Sequence, residues 1–231
     1  MSKLNLSIKS NLKKQIEKEK NSGKDTRFLN YYDMKEGEKM TILFLPDANG
    51  ELWAKFSKHG PNLKLPSVGS VNCAYKSSGE DCPACQKGFA LLNESREQND
   101  PKLKEEAKRW FSRDYTIVQC LVLDSPIEVS ESPDGNQVKL MYIPFAVENI
   151  IKEAVTEGIV PEDELCTTPF VIKKTTNQGG WASYENSYFS RKQITEEELE
   201  VFEEFTIEQY DFNELDVIPD PTTTEEVQEW L

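Results

Sequence analysis

Tyr115-Thr-Ile-Val-Gln-Cys-Leu-Val-Leu123 is a run of aromatic, β-branched and aliphatic side chains broken only by Thr116 and Gln119, and such a run predicts a strand buried on both faces. Val138-Lys-Leu-Met-Tyr-Ile-Pro144 follows the turn-forming Pro133-Asp-Gly-Asn136, so the two segments read as an antiparallel pair with Cys120 in the core. Upstream, Met40–Leu45 stops at Pro46, and Asp47–Gly50 supplies turn chemistry before Leu52–Phe56, which predicts a β-hairpin. Asp100-Pro101 reads as an N-cap with proline in the first turn, opening a charged surface helix through Lys108 to Trp110. Phe145–Gly158 has helical spacing at Val147, Ile150, Ile151 and Val155 and a glycine stop, and Phe170–Lys174 resumes strand. Ile194-Thr195-x-x-Glu198 is a capping box that starts a helix with Leu199, Phe202 and Phe205 on one stripe. Short strands, interposed helices and no regular βαβ alternation predict a mainly β, α+β protein, a small Greek-key barrel or sheet with helical insertions.

The chain has 231 residues, 37% of them hydrophobic, enough for one or two domains with a real core. Its apolar runs are short, and Met1–Lys24 is polar and lysine-rich, so neither a membrane span nor a secretory leader is expected. The net charge of −14 is not spread evenly: 14 of the 41 acids follow residue 195 and all 27 lysines and arginines precede it, which leaves residues 1–195 electroneutral. Met1–Lys24 holds Lys3, Lys9, Lys13, Lys14, Lys18, Lys20 and Lys24 against Glu17 and Glu19. Residues 1–24 therefore read as a basic arm, 25–210 as the folded core and 211–231 as an acidic, mobile tail. This asymmetry fits polyanion binding with a tail that competes for the same surface, and equally fits two solvated termini.

His59, Cys73, Cys82 and Cys85 have the spacing H-x13-C-x8-C-x2-C, and His59 is the one histidine of the chain. A Cys-x-x-Cys pair can chelate one tetrahedral ion, and four protein ligands complete its shell, so a structural Zn²⁺ is expected within a subdomain of about residues 57–115. A redox Cys-x-x-Cys is the competing reading. A zinc deaminase needs a glutamate two positions after the histidine, but Gly60 and Pro61 follow His59, and no carboxylate base for a hydrolase is evident.

Aromatic residues lie among basic ones in three places: Lys108-Arg109-Trp110-Phe111-Ser112-Arg113-Asp114-Tyr115, Lys139–Tyr142, and Lys173-Lys174 followed by Gly179-Gly180-Trp181, Tyr184, Tyr188-Phe189 and Arg191. Single strands are held by stacking on aromatic faces above a positive groove, whereas strand aromatics also serve as ordinary core. Trp181 after two glycines is expected to be exposed.

Ile42-Leu-Phe-Leu-Pro46, His59-Gly60, Cys73, Cys82-Pro-Ala-Cys-Gln86, Lys108-Arg109-x-x-Ser112 and Phe170-Val-Ile-Lys-Lys174 with Trp181-Ala-Ser-Tyr184 together resemble the helix-destabilising single-stranded DNA-binding proteins of T-even-type phages. The resemblance implies an oligonucleotide-binding (OB) barrel with a zinc subdomain and no enzymatic activity. It implies the zinc ligands His59, Cys73, Cys82 and Cys85, and a DNA cleft lined by Lys108, Arg109, Tyr142, Lys173, Trp181 and Tyr184, to which the basic and aromatic runs add Arg113, Tyr115 and Lys174. It further implies neighbour-to-neighbour contacts through the arm (Lys3, Lys9, Ser10, Lys13, Lys14), replication and recombination proteins recruited by the tail, and work in the cytoplasm of an infected bacterium. Leu43 stands where the family has a basic residue, and Arg113-Asp114 replace an aromatic pair. The alternative from another class is a zinc-stapled adaptor whose acidic end docks a basic partner.

Overall fold

The computed structural model describes residues 25–59, 71–132, 135–195, 207–215 and 224–225. The basic arm, the helix expected after Thr195 and most of the acidic end lie outside them.

The architecture is mixed α+β, organised by the strand that contains Tyr115–Leu123. β1 (Lys39–Leu45), β2 (Ala54–His59), β3 (Val71–Asn72), β4 (Ser112–Asp124), β5 (Lys139–Ile143), β6 (Phe170–Lys173) and β9 (Tyr188–Phe189) form an antiparallel seven-stranded sheet. β7 (Thr175–Thr176) and β8 (Ala182–Ser183) form a separate small hairpin. Four helices punctuate the described strands: α1 (Ala74–Ser78), α2 (Pro83–Gln98), α3 (Pro101–Trp110) and α4 (Phe145–Thr156). No helix among the described residues is long and apolar enough to cross a membrane.

β4 is 13 residues long and pairs with three strands. β2 takes Ser112–Ile117, β1 takes Gln119–Asp124, and β5 takes Thr116–Cys120, overlapping both. A strand has two edges, so β1 and β2 share one of them end to end while β5 holds the other. β1 and β2 are therefore not the hairpin that the turn between them predicts. The turn itself is real: the Asp47 carboxylate accepts from the backbone N–H groups of Asn49 and Glu51. It redirects the chain along β4 because the long apolar strand offers more ladder and more buried surface than a two-stranded ribbon could. The expected β4–β5 pair is present in register, with Cys120 fully buried. The sheet does not close into a barrel among the described residues.

Alternation along β4 builds two cores. On one face Val118 and Cys120 join Met40, Ile42, Phe44, Met141, Phe170 and Ile172 beneath Val147, Ile151 and Ala154, the i, i+4, i+7 stripe of α4. On the other, Ile117 and Leu121 meet Leu140, Leu43 and Val138 under Tyr210, Phe212 and Leu215. The packed body thus extends past residue 210, the expected end of the folded core, to Leu215. Two buried amides and a buried carboxylate stitch this strap down: Gln119 Oε1 accepts from Tyr210 N (2.9 Å), Asn136 Nδ2 donates to Glu208 O (2.7 Å), and Asp47 Oδ2 accepts from Phe212 N (3.3 Å). Burying Phe212 and Leu215 contributes about 1.5–3 kcal/mol each, which together with these hydrogen bonds opposes the ordering entropy of the segment.

Candidate metal centre and the groove beside it

His59 ends β2 and is fully buried. Its Nδ1 lies 2.8 Å from the Trp110 carbonyl, which can only accept, so Nδ1 carries the proton and Nε2 presents its lone pair inward. Nε2 is 3.1 Å from Cys82 Sγ and 3.9 Å from Cys85 Sγ, and the Sγ atoms of Cys73 and Cys85 are 3.7 Å apart. All four donor atoms lie within 4.8 Å of one another. Tetrahedral zinc with Zn–S bonds of about 2.3 Å sets its sulfurs roughly 3.8 Å apart, so the donor set fits that ion.

Local chemistry explains how the four meet. Cys73 caps α1 and donates its N–H to Ser57 O at 2.9 Å, tying the module to β2. Cys82 caps α2, Pro83 occupies its first turn, and Cys85 follows within that turn, where the positive helix end favours thiolates. α3 is capped as the sequence predicts, Asp100 Oδ1 accepting from Lys102 N at 2.8 Å. α2 and α3 approach closely at Gly88, where a Cβ would lie 3.1 Å from both Trp110 Cβ and Phe111 Cε1. That contact brings the Trp110 carbonyl to His59.

Among the described residues the module's own apolar cluster is Ala74 and Ala84 around the cysteines, with part-buried Trp110 against it. So little buried area cannot by itself hold three helices, so a metal bound here would serve a structural role. The electrostatics agree. Hydrogen bonds from Cys82 and Cys85 hold the Cys73 thiol far below its usual range, while those with Cys73 and Cys82 push Cys85 up. Three adjacent thiolates repel, and a divalent cation between them removes that cost. Burial opposes charge on His59, but hydrogen bonds to Cys73 and Cys82 outweigh it and raise its pKa to about 9; bound zinc would displace that proton. With four protein ligands the ion would have no open position, so the centre is suited to holding the fold.

β2 and the first half of β4 leave this centre together and form one wall of an open groove of about 790 Å³. The rings of Phe56 and Tyr115 stack there, centroids 5.6 Å apart and planes 13° from parallel. Phe145, the first residue of α4, is 73% exposed at the same groove, and Lys55, Lys76 and Lys152 bring positive charge to its lining. Asp114 and Glu148 are the acids there, paired with Lys76 and with Lys55 and Lys152 respectively. The lowered pKa of Asp114 follows from hydrogen bonds with Lys76 and Ser57.

The residues that the sequence placed at a cleft are divided by the fold. Tyr115 lines the groove, and half-buried Tyr142 lies behind it, 6.0 Å away and stacked on Phe28 at 4.9 Å. Arg113, Lys108 and Arg109 are exposed, Lys108 in an ion pair with Glu105 at 2.6 Å. Trp181 is 75% exposed at the tip of the β7–β8 turn and does not line the groove. Its turn is rigid, because Asn177 Oδ1 accepts from the N–H groups of Gly179 and Trp181, both at 3.0 Å. Lys173 is half-buried at the end of β6. Two assignments are corrected. Tyr184 is 5% exposed with its ring edge-on to Tyr31, so it is core. Lys174 spends its ammonium on the carbonyls of Tyr32 and Met34, both at 2.6 Å, and pins the chain before β1.

Phe56, Phe145, Lys55, Lys76 and Lys152 are groove residues that sequence reasoning missed. Phe145 could have been found: it lies off the Val147–Ile151–Ala154 stripe on the helix wheel, yet is large and apolar. No protein-family model matches the chain, and no curated protein matches it.

Proposed function

We propose that this protein binds single-stranded DNA without sequence preference and without catalysis, its zinc ion stiffening one wall of the binding groove. The observation that carries the reading is the groove itself: a stacked Phe56–Tyr115 pair and an exposed Phe145 among three lysines, next to the closed His–Cys₃ centre. Aromatic faces offer every base a stacking partner, and lysines follow the phosphates whatever the sequence. The finer architecture that accompanies this reading is an OB barrel. The resemblance to T-even-type phage proteins adds coating of DNA during replication, recombination and repair in an infected bacterium. It also adds contacts between neighbouring copies through residues 1–24, and recruitment of replication proteins by the acidic end.

Titration with oligo-dT and with duplex DNA at two salt concentrations, followed by tryptophan fluorescence, tests the reading. Preferential binding of the single strand, weakening with a log–log salt slope of about 0.7 per phosphate neutralised, supports it. No binding, or equal binding of duplex, refutes it.

A second reading has its own observation. Phe89 is 58% exposed, edge-on to Phe111, and Tyr75 is 61% exposed, both on the metal module and outside the groove. A zinc-stapled protein adaptor would use such a surface, and its fluorescence would not respond to oligo-dT.

A further inference from the structure

Glu148 is charged and almost entirely buried, its side chain 6% exposed. Lys55 and Lys152 both place their ammonium groups on the same carboxylate oxygen, Oε1, while Thr116 Oγ1 donates to Oε2 at 2.7 Å. One lysine would suffice to neutralise the acid. Two leave a surplus of one positive charge on the groove wall, held side by side by a shared acceptor. Each ammonium has three donors and commits one to Glu148. Both lysine side chains remain about half exposed, 48% and 45%, with the Trp53 ring 5.5 and 5.9 Å from the two nitrogens. Phe145, Glu148 and Lys152 occupy positions i, i+3 and i+7 of α4, one helix face, and all three line the groove with Lys55.

We propose that Lys55 and Lys152, set by Glu148, clasp one phosphodiester of a strand lying in the groove, with the adjoining base against the Phe145 ring. This deepens the single-stranded DNA reading and rests on it. Net charge matches the ligand: two ammonium groups less one carboxylate balance a single phosphate. Losing either lysine leaves a neutral wall, while the other still pairs with Glu148, so the single variants keep the buried acid satisfied.

The test titrates wild type, Lys55→Gln, Lys152→Gln, Phe145→Ala and Lys102→Gln with oligo-dT and with an abasic oligomer of equal length across a range of salt. Lys102 is exposed on α3 and does not line the groove. Each groove variant is expected to lose about 0.7 from the log–log salt slope on both oligomers, and Lys102→Gln to lose none. Phe145→Ala is expected to weaken oligo-dT about 5- to 150-fold and to leave the abasic oligomer unchanged. Wild-type binding with the slope unaltered in both groove variants, or lowered equally by Lys102→Gln, overturns the clasp and leaves the functional reading standing. A Phe145→Ala loss that is absent, or equal on both oligomers, overturns the base contact. Wild type that binds neither oligomer overturns the functional reading and the clasp together.

Discussion

Glu148→Gln separates the charge of a buried acid from its shape. The folded structure lowers the Glu148 pKa from 4.5 to about 2: burial opposes the charge, but hydrogen bonds from Lys152, Lys55 and Thr116 more than offset it. At about 1.36 kcal/mol per unit the difference corresponds to roughly 3 kcal/mol. The two lysines are half in water, and screening reduces that to about 1–2 kcal/mol. The folded value is the depressed one, so the stabilisation is complete above about pH 4.5 and is lost as pH falls towards 2. Glutamine keeps the outline and an acceptor but does not titrate. Thermal unfolding of wild type and variant, measured in parallel between pH 6 and pH 2, should show their gap closing by about 1–2 kcal/mol, or about 2–8 °C for a chain of this size. Other acids and the metal ligands titrate in both proteins and cancel in the comparison. A gap that stays constant across this range would refute the argument.

Removing the metal with a chelator should unfold α1, α2 and α3, which hold most of the described helix, while the core around Phe44 and Phe170 persists; elemental analysis should find one zinc per chain, and an unchanged far-UV spectrum after chelation would contradict the structural role. Deleting residues 216–231 should leave the melting temperature unchanged and tighten oligo-dT binding by removing negative charge, whereas a deletion beginning at Asp211 should also destabilise the body through loss of Phe212 and Leu215; paired melting and binding curves check both. Trp181→Ala should alter stability by less than about 0.5 kcal/mol and, if Trp181 stacks on DNA, cost about 1–3 kcal/mol of affinity. Tyr184→Phe should leave DNA affinity unchanged and hold or raise stability, since the Tyr184 hydroxyl is buried without a hydrogen-bond partner among the described residues.

The metal centre was the most legible part of the site because ligation by a Cys-x-x-Cys pair is a local geometric property. Cys82-Pro-Ala-Cys85 starts a helix and sets two sulfurs on one turn, and only His59 and Cys73 have to arrive from elsewhere. Exposure of the aromatic residues was legible only in part. Trp181 is exposed because a Gly-Gly turn cannot bury it, a local fact. Tyr184, three residues on, is core because Tyr31 happens to pack there, and no spacing in the sequence records that pairing.

The sequence alone determined the strands and helices with strong periodicity, the β4–β5 pair, the α3 cap and the four candidate ligands. All of these depend on contacts within a turn or on one element's pattern of apolar residues. Only the tertiary structure decided that β1 and β2 share an edge of β4, that residues 207–215 strap one face of the sheet, and that Glu148 gathers two lysines at the groove. Strand pairing and charge clustering join positions tens of residues apart, and their energies follow from which surfaces the packed chain brings together, a quantity that no local window contains.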